Sequence, residues 1–274
     1  MKRILITGGR GVFGRELTPR LLKAGYTVRI SSRSAPKTDG ASNLEWVQMD
    51  LQQQSDLSAA VAEVDVIIHA ASDPLHAHEV DVLGTERLLN AARTAGVSHF
   101  TYISIVGIDR MEFAYYGHKL AAEQRIEQGG VPWSILRATQ FHSFIDRLLQ
   151  PLQRLAWMPF YLLPTDFQSQ PIDEGEVADH FVQIIKDGPG GRLPDIAGPE
   201  ILTLGQMVKP WLAAQGLARP VWRLPVPGKA AAGFRRGRNT DLNARYGKIT
   251  WGEWVAQHYG QRQQKPNSLT LNPR

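Results

Sequence analysis

The chain has 274 residues, of which 43% are hydrophobic and 21% charged, a balance that can fill the core of one large α/β unit or of a main domain with a small satellite. It contains no cysteine, which excludes disulfides, thiolate nucleophiles and cysteine metal sites. The net charge is +5, but Lys and Arg are scattered apart from Arg235-Arg236-Gly237-Arg238, a run that we interpret as a solvated loop and not as a nucleic-acid site. No apolar run approaches a membrane span, and a strand that begins at residue 2 leaves no room for a signal peptide, so we expect a cytoplasmic location.

The chain begins with a predicted strand, a glycine-rich turn and a predicted helix. The apolar run Ile4-Leu5-Ile6 leads into Thr7-Gly8-Gly9-Arg10-Gly11-Val12-Phe13-Gly14, and an amphipathic helical pattern follows. Gly8 would permit the tight turn, Gly11 would let a diphosphate approach the backbone, and Gly14 would let the helix pack closely on the strand. Because the free N–H groups of the helix face the turn, the pattern predicts a dinucleotide site, the alternative being a purely structural turn.

The end of the second predicted strand, over residues 27–32, indicates which dinucleotide is bound. Ser31-Ser32-Arg33 stands there, and no acid follows before Asp39. In a dinucleotide fold, an acid at this place binds the 2′-hydroxyl of NAD, whereas arginine accommodates the 2′-phosphate of NADP. Arg10 in the glycine loop could reach the same phosphate. We therefore predict NADP(H), with NAD(H) less favoured; the alternative is that Arg33 is only a solvated loop residue.

Three further strands are predicted over residues 44–49, 64–69 and 99–104, with a loop over 35–43 and a helix over 80–95. Asp50-Leu51 follows the first of these strands, where the acid could accept a hydrogen bond from the adenine amino group or cap the next helix. Ala70-Ala71-Ser72 follows the second, and its small residues would let a cofactor lie against the backbone. We interpret His69, His76 and His78 as surface loop histidines and predict no metal site.

Tyr115 and Lys119 are the candidate catalytic residues. Their spacing of four places both side chains on one face of a helix. A nearby ammonium favours tyrosinate, so Lys119 is expected to lower the pKa of Tyr115 and make the phenol a usable acid or base. Ser104, at the end of the strand before this helix, could hold the carbonyl oxygen of a substrate.

The second half of the chain departs from the strand–helix alternation after a sixth strand over residues 131–137. We predict helices over 141–155 and 174–186, a short strand over 170–173, and a last strand over 193–198 that returns to the sheet. Trp157, Phe160 and Tyr161 could line an apolar substrate pocket or could equally be core of the smaller region.

These motifs and their order resemble the short-chain dehydrogenase/reductase superfamily and, more narrowly, its atypical, NmrA-like branch of NAD(P)-binding proteins. The resemblance rests on Thr7–Gly14, Asp50-Leu51, Tyr102–Asp109, Tyr115–Lys119 and Leu136–Phe141, and on Trp251–Trp254 near the end. Two positions depart from it. Ser104 is followed by Ile105-Val106 where relatives carry a second hydroxyl residue, and Asp81 stands where many carry asparagine.

The resemblance implies a Rossmann-type doubly wound parallel sheet with a small C-terminal mixed substrate region. The expected dinucleotide-binding domain spans residues 1–141 and is rejoined by 171–198; the substrate region takes 142–170 and 199–260, and 261–274 form a loose tail. The implied activity is that of an NADPH-dependent carbonyl or enone reductase, a monomer or homodimer, in which Tyr115 gives the proton, Lys119 orients the ribose, and the backbone around Ala138 and Thr139 lines the nicotinamide pocket. The alternatives are a non-catalytic NADP(H) sensor and, more weakly, a sugar-nucleotide epimerase.

The candidate site residues form two sets. The catalytic set is Tyr115, Lys119 and Ser104. The cofactor-binding set is Thr7, Gly8, Gly9, Arg10, Gly11, Val12, Phe13, Gly14, Ser32, Arg33, Asp50, Leu51, Ala70, Ala71, Ser72, Lys119, Ala138 and Thr139.

Overall fold

A seven-stranded parallel sheet forms the centre of the computed structural model, which describes residues 2–34, 42–53 and 57–260. In chain order the strands are β1 (Arg3–Thr7), β2 (Thr27–Ser32), β3 (Leu44–Gln48), β4 (Val66–His69), β5 (His99–Ile105), β6 (Trp133–Ala138), β7 (Tyr161–Leu163), β8 (Gln168–Ser169), β9 (Gly191–Arg192), β10 (Leu202–Thr203) and β11 (Val221–Arg223). The sheet has the order β3-β2-β1-β4-β5-β6-β9, and all its pairings are parallel. This is a Rossmann-type doubly wound sheet, whose order reverses between β1 and β4, so the crevice at their carboxyl ends is the expected ligand site.

The helices cover both faces of this sheet and build the smaller C-terminal region. They are α1 (Val12–Lys23), α2 (Ser58–Val61), α3 (Gly84–Thr94), α4 (Ala114–Gln128), α5 (His142–Leu149), α6 (Pro151–Arg154), α7 (Glu174–Asp187), α8 (Leu204–Ala214), α9 (Lys229–Arg235) and α10 (Trp251–Gly260). A π-helical turn, His78–Leu83, leads directly into α3. In the part of the chain that the structure describes, each helix is too short or too polar to cross a membrane.

Alternation along the buried strands fills two cores. Leu5 of β1 points to the face covered by α2, α3 and α4, where Phe100 and Ile126 are fully buried. Ile4 and Ile6 point to the opposite face, covered by α1 and α7. Each such aliphatic or aromatic side chain contributes about 1.5–3 kcal/mol when it leaves water. The period of two in a strand is what lets one apolar run supply both faces of a buried parallel sheet.

A third core holds the C-terminal region together. It is built from α5, α6, β7, α8 and α10, around Trp211 and Trp251. The chain rejoins the sheet between these pieces, because α7 packs on α1 and β9 pairs with β6. The division into a dinucleotide-binding domain and a smaller substrate region remains a prediction, and these packing contacts are compatible with it. The predicted tail 261–274 and residues 35–41 of the predicted loop lie outside the described residues.

Several predicted elements have different limits in the structure. The predicted helix over 141–155 divides at Gln150 into α5 and α6. The last strand of the sheet is Gly191–Arg192 and not 193–198, although Ile196 still bridges to Ala138. In place of a strand over 170–173, the structure has β8 at Gln168–Ser169 and a bridge from Ile172 to Phe141. A strand of two residues is too short to show an alternating sequence pattern. Such short strands form where a neighbouring strand offers free backbone groups, so the sequence alone does not predict them.

Candidate active site

The glycine loop between β1 and α1 has the geometry of a phosphate-binding turn. Gly8 has a φ of +70°, and the Gly11 amide donates to the Gly8 carbonyl at 2.8 Å. A Cβ atom on Gly14 would lie 2.5 Å from Cα of Gly9, so only glycine lets α1 approach the loop this closely. The N-terminal end of α1 therefore opens toward the carboxyl ends of β1 and β4, where its free amides can bind a diphosphate.

A cleft of about 290 Å³ lies at this place. The predicted cofactor residues that line it are Gly8, Arg10, Gly11, Ser32, Arg33, Asp50, Leu51, Ala70, Ala71 and Ser72. Sequence reasoning missed five further lining residues, Ser31, Met49, Gln52, Asp73 and Val80. Four of these stand next to a predicted residue in the sequence, so extending each predicted stretch by one residue would have included them. Val80, in the π-helical turn, is not next to any predicted cofactor residue. The open helix end, the glycine cradle and the flanking cations fit a dinucleotide.

The other predicted cofactor residues do not line the cleft. Gly9 and Gly14 form the tight packing beneath the loop, and Phe13 packs on Phe181 in the core. Thr139 accepts a hydrogen bond from the Gly198 amide and holds the return segment. The remaining residues of this group are Thr7, Val12, Lys119 and Ala138.

Two arginines stand at the β2 end of the cleft. Arg33 is exposed at its rim, and Arg10 reaches across from the glycine loop so that its guanidinium donates to the Ser34 hydroxyl at 3.2 Å. Asp50 at the end of β3 accepts from the Gln52 amide at 3.0 Å, a turn contact. The arrangement brings both predicted cations to the same end of the cleft as Ser32.

Thr7 and His69 form a buried polar link beneath the cleft. The Thr7 hydroxyl lies 2.7 Å from Nδ1 of His69 and accepts hydrogen bonds from the Ala70 and Ala71 amides at 3.1 Å. Nε2 of His69 lies 2.9 Å from the Thr85 hydroxyl. Burial lowers the pKa of His69 to about 3, helped by the charge of Lys119. The interpretation of His69 as a surface histidine is therefore wrong, since its ring is fully buried.

The structure brings Tyr115 and Lys119 together with two residues that were not assigned to catalysis. The Tyr115 hydroxyl lies 2.7 Å from Oγ of Ser72, and that hydroxyl donates to Oδ1 of Asp81 at 2.6 Å. Lys119 Nζ donates to the Ile103 carbonyl at 3.2 Å and lies 3.7 Å from the same Asp81 oxygen. Neither Ser72 nor Asp81 was predicted to take part in catalysis.

The electrostatics of this group differ from the expectation. Burial raises the pKa of Tyr115 above its ordinary value, and the negative charge of Asp81 raises it further. Burial lowers the pKa of Lys119, against the opposing effects of Asp81 and Glu123. The prediction that Lys119 lowers the pKa of Tyr115 is wrong for this arrangement, because the ammonium lies beside the Asp81 carboxylate.

Ser104 lies away from Tyr115. It is buried on the face of β5 that α4 covers, where it faces the Glu123 carboxylate. Glu123 itself holds Arg137 in a bidentate pair at 2.9 and 2.8 Å. No hydrogen bond joins Ser104 to Tyr115 among the described residues, so the predicted catalytic set is assembled only in part.

Aromatic side chains surround the exposed side of Tyr115. The ring centroid of Phe113 lies 6.4 Å from that of Tyr115 and 6.2 Å from that of Phe234. Of the three aromatic residues with two open interpretations, Tyr161 is buried in the third core, Phe160 stacks on Trp222, and Trp157 is 79% exposed. The apolar neighbourhood of Tyr115 is thus supplied by other residues.

The basic run 235–238 packs against the segment between β5 and α4. Arg235 donates to the Val226 carbonyl at 2.8 Å, and Arg238 donates to the Arg110 carbonyl at 3.0 Å. Arg235 is also the last residue of α9, so the run is only partly the solvated loop that we predicted.

Comparison with known proteins gives the family. The sequence model of the NAD(P)H-binding family matches residues 8–187. A (4-alkanoyl-5-oxo-2,5-dihydrofuran-3-yl)methyl phosphate reductase of Streptomyces griseus is 27% identical over 210 residues, which cover 73% of this chain and 69% of that protein. An NAD(P)H azoreductase of Xenophilus azovorans is 26% identical over 222 residues, covering 80% and 75%. An uncharacterized protein of Mycobacterium tuberculosis is 28% identical over 192 residues, but the match spans only 19% of its length.

Solved structures give the same fold. The triphenylmethane reductase of Citrobacter sp. has a TM-score of 0.76 at 17% identity, with 94% of this chain and 99% of that chain covered. A nucleoside-diphosphate-sugar epimerase of Staphylococcus aureus has a TM-score of 0.75 at 18% identity, with 93% and 99% covered. The chain therefore belongs to the NAD(P)H-binding family and shares its Rossmann-type fold with this reductase and this epimerase.

Proposed function

We propose that the protein is an NADPH-dependent reductase of a small, rather apolar carbonyl or enone substrate, with Tyr115 as the proton donor. The observation that carries this proposal is the 2.7 Å contact between the Tyr115 hydroxyl and Ser72, a residue that lines the dinucleotide cleft. The phenol thus stands at the edge of the cofactor site, with the buried ammonium of Lys119 close by. Relatives that are named reductases support an NAD(P)H-dependent oxidoreductase.

The reaction needs one proton donor beside one hydride source. A bound NADPH would supply the hydride to the substrate carbon. Tyr115 would give its phenol proton to the substrate oxygen, so that a carbonyl yields an alcohol and an enone yields an enol that becomes the saturated ketone. Solvent would return the proton to the tyrosine. Lys119 would hold the nicotinamide ribose hydroxyls. Phe113, whose side chain is 40% exposed, and Phe234 would provide an apolar wall that excludes water beside the phenol.

Replacing Tyr115 by phenylalanine tests the proton-donor role. General acid catalysis contributes about 10²–10⁴-fold, so Tyr115→Phe should lower kcat by that factor while NADPH still binds. The measurement is NADPH consumption with a panel of aldehydes, ketones and enones. Tyr116→Phe is the matched control, because Tyr116 is the neighbouring tyrosine and its hydroxyl accepts a hydrogen bond from Gln140, whereas the Tyr115 hydroxyl contacts Ser72. Unchanged turnover by Tyr115→Phe across the panel would remove the proposed role.

The choice of NADPH over NADH is carried by Arg10 and Arg33. A 2′-phosphate placed between the two guanidiniums would gain charge-assisted hydrogen bonds that NADH cannot make. Arg33→Ala should therefore weaken NADPH binding about 10-fold and leave NADH binding unchanged. Isothermal calorimetry with both cofactors gives the two dissociation constants. Equal constants for NADPH and NADH in the wild-type protein would contradict the assignment.

A non-catalytic NADP(H) sensor is the second candidate function, and the position of Ser104 favours it. The serine faces Glu123 and not Tyr115, so no hydroxyl from β5 assists the phenol in the described residues. A sensor predicts tight cofactor binding, no turnover on the panel, and affinity for a protein partner that changes with the redox state of the cofactor. An epimerase is the weaker alternative. It would need a basic pocket for the diphosphate of a sugar nucleotide, and in the basic run 235–238 both Arg235 and Arg238 donate to backbone carbonyls.

A further inference from the structure

A buried carboxylate stands at the end of the hydrogen-bonded chain that begins at Tyr115. Asp81 has no exposed surface, although carboxylates are rarely buried without a function or a partner. Its Oδ1 atom accepts the Ser72 hydroxyl at 2.6 Å and lies 3.7 Å from Lys119 Nζ. Its other oxygen accepts the Asp73 amide at 3.2 Å. Asp81 thus accepts two hydrogen bonds and has the Lys119 amine nitrogen nearby.

The chemistry of the three groups fixes the direction of the hydrogen bonds. An ionised carboxylate has no proton to donate, so the single proton of the Ser72 hydroxyl points to Asp81. The Ser72 oxygen then offers Tyr115 a lone pair at 2.7 Å, and Tyr115 must be the donor in that contact. The phenol therefore keeps its proton for as long as Asp81 holds the proton of the serine.

We propose that Asp81 is a positioning residue that acts through Ser72 to hold the proton on Tyr115, and so keeps the site a proton donor well into alkaline pH. This inference rests on the proposed function, in which Tyr115 is the acid. It assigns a role to a fully buried aspartate that was not among the predicted site residues. A neutral asparagine would leave the Ser72 proton free to turn toward Tyr115 and to stabilise the phenolate.

The titratable groups that face this cluster lie on five parts of the chain. The titratable and charged groups are Asp81 on the π-helical turn, Asp73 in the loop after β4, His69 on β4, Tyr102 on β5, and Tyr116, Lys119 and Glu123 on α4. His69 is neutral above acid pH, because burial lowers its pKa to about 3. Lys119 supplies the one amine of this set, and its Nζ atom lies 3.7 Å from Asp81 and 4.2 Å from the centre of the Tyr102 ring.

The sign of the expected effect follows from these charges. The reductase needs the protonated phenol, so activity is lost as the pH rises through the pKa of Tyr115. The negative charge of Asp81 raises that pKa, and Asp81→Asn should lower it. The alkaline midpoint of activity should therefore move to lower pH in Asp81→Asn.

Tyrosine ionisation measured by NMR tests this role without a substrate. In protein with isotope-labelled tyrosine, the ζ-carbon signal of Tyr115 is identified by its loss in Tyr115→Phe and is followed against pH. The wild-type midpoint should lie above that of free tyrosine, and in Asp81→Asn it should fall by about 1 pH unit. Asp73→Asn is the matched control and should give a smaller shift, because that carboxylate is partly exposed. A wild-type midpoint at or below that of free tyrosine overturns the inference even if Asp81→Asn fails to fold.

Rate–pH profiles separate this inference from the proposed function. With any panel compound that the wild-type protein reduces, the alkaline midpoint for Asp81→Asn should lie below the wild-type midpoint. If Tyr115→Phe is as active as the wild type, the proposed function fails. If Tyr115→Phe is inactive but the folded Asp81→Asn protein has the wild-type profile and the wild-type NMR midpoint, only the role of Asp81 is overturned.

Discussion

The Thr7 hydroxyl shows how one buried side chain can fix several parts of the site. It accepts two backbone amides, so its own proton is free to go to Nδ1 of His69. Nε2 of His69 then carries the ring proton and donates to Thr85, whose hydroxyl in turn donates to the Asp81 carbonyl at 2.5 Å. Every donor in this chain has an acceptor with His69 neutral. The link therefore ties the end of β1 to the end of β4 and to the turn that carries Asp81.

Glu123 is the residue on which a second buried network depends. Its carboxylate pairs with Arg137 of β6 and with Arg192 of β9, and a further contact joins Arg137 to Asp109 at 2.9 Å. Two strands of the sheet, α4 and the loop after β5 thus share one charge that water does not reach. Removing one partner of a buried pair leaves an uncompensated charge, which costs more than the pair itself contributes.

Glu123→Gln should therefore destabilise the protein by about 3 kcal/mol. The measurement is urea unfolding of the variant and of wild type. Glu127→Gln is the control on the same helix, because Glu127 pairs with Arg192 where both side chains are more than a third exposed. That change should cost less than about 1 kcal/mol. If both substitutions lowered the free energy of unfolding equally, the buried network would contribute no more to stability than the exposed ion pair.

At the scale of elements, the approach of α1 to the glycine loop positions the diphosphate site. Gly14 is the contact point, and a Cβ atom there would also lie 2.6 Å from the Gly8 carbonyl oxygen. Overpacking of this kind forces the backbone apart and costs about 1–3 kcal/mol. The helix end would then no longer face the cleft at the same angle.

Gly14→Ala should lose stability by that amount and bind NADPH at least about 10-fold more weakly, since 1.4 kcal/mol is a factor of 10 in binding. Thermal unfolding and calorimetry measure the two effects. The control is Gly117→Ala in α4, where a Cβ atom would meet nothing within 4 Å. That change should raise stability by about 0.5–1 kcal/mol, because alanine favours the helix. A Gly14→Ala protein with wild-type affinity would contradict the role of this contact.

Elements with strong periodicity could be predicted from the sequence, and those defined by neighbours could not. The first six strands were placed to within two residues, because strands buried on both faces are continuous apolar runs with turns between them. The π-helical turn at His78–Leu83 was predicted as ordinary helix from Val80, since six residues are too few to reveal an altered period. The strand Gly191–Arg192 has no apolar pattern and pairs only because β6 offers an open edge.

The parts of the candidate site that could be predicted are those formed by short stretches of consecutive residues. The glycine loop and the residues after β2, β3 and β4 meet in one cleft because the carboxyl ends of parallel strands share one edge. The position of Ser104 depends on the period of two in β5, which puts it on the face of Tyr102 beneath α4. The link from Tyr115 through Ser72 to Asp81 joins residues 43 and 9 apart, and single-sequence reasoning has no signal for such contacts.

At the scale of the whole molecule, buried neutral histidines should make stability depend on pH. Burial lowers the pKa of His69 to about 3 and of His99 and His142 to about 4, from an ordinary value near 6.5. As the pH falls below 6.5, the unfolded chain takes up protons at these positions and the folded chain does not. Stability is thus fully present above that value and falls toward pH 3.

Each such histidine should reduce the free energy of unfolding by about 1.4 kcal/mol per pH unit in this window. Urea unfolding at several pH values measures the slope. His69→Gln should lower the slope by one such contribution. A slope that is the same in wild type and His69→Gln would show that His69 is protonated in the folded protein.

Hydride transfer and the proton-donor role are tested together by deuterated NADPH. The label sits at the transferable position of the nicotinamide, and the product of an aldehyde, ketone or enone is analysed by mass spectrometry for wild type and Tyr115→Phe. We predict deuterium on the product carbon with wild type, at a rate about 10²–10⁴-fold higher than with Tyr115→Phe. A product without deuterium, or equal rates for the two proteins, would contradict a reductase that uses Tyr115 as its acid.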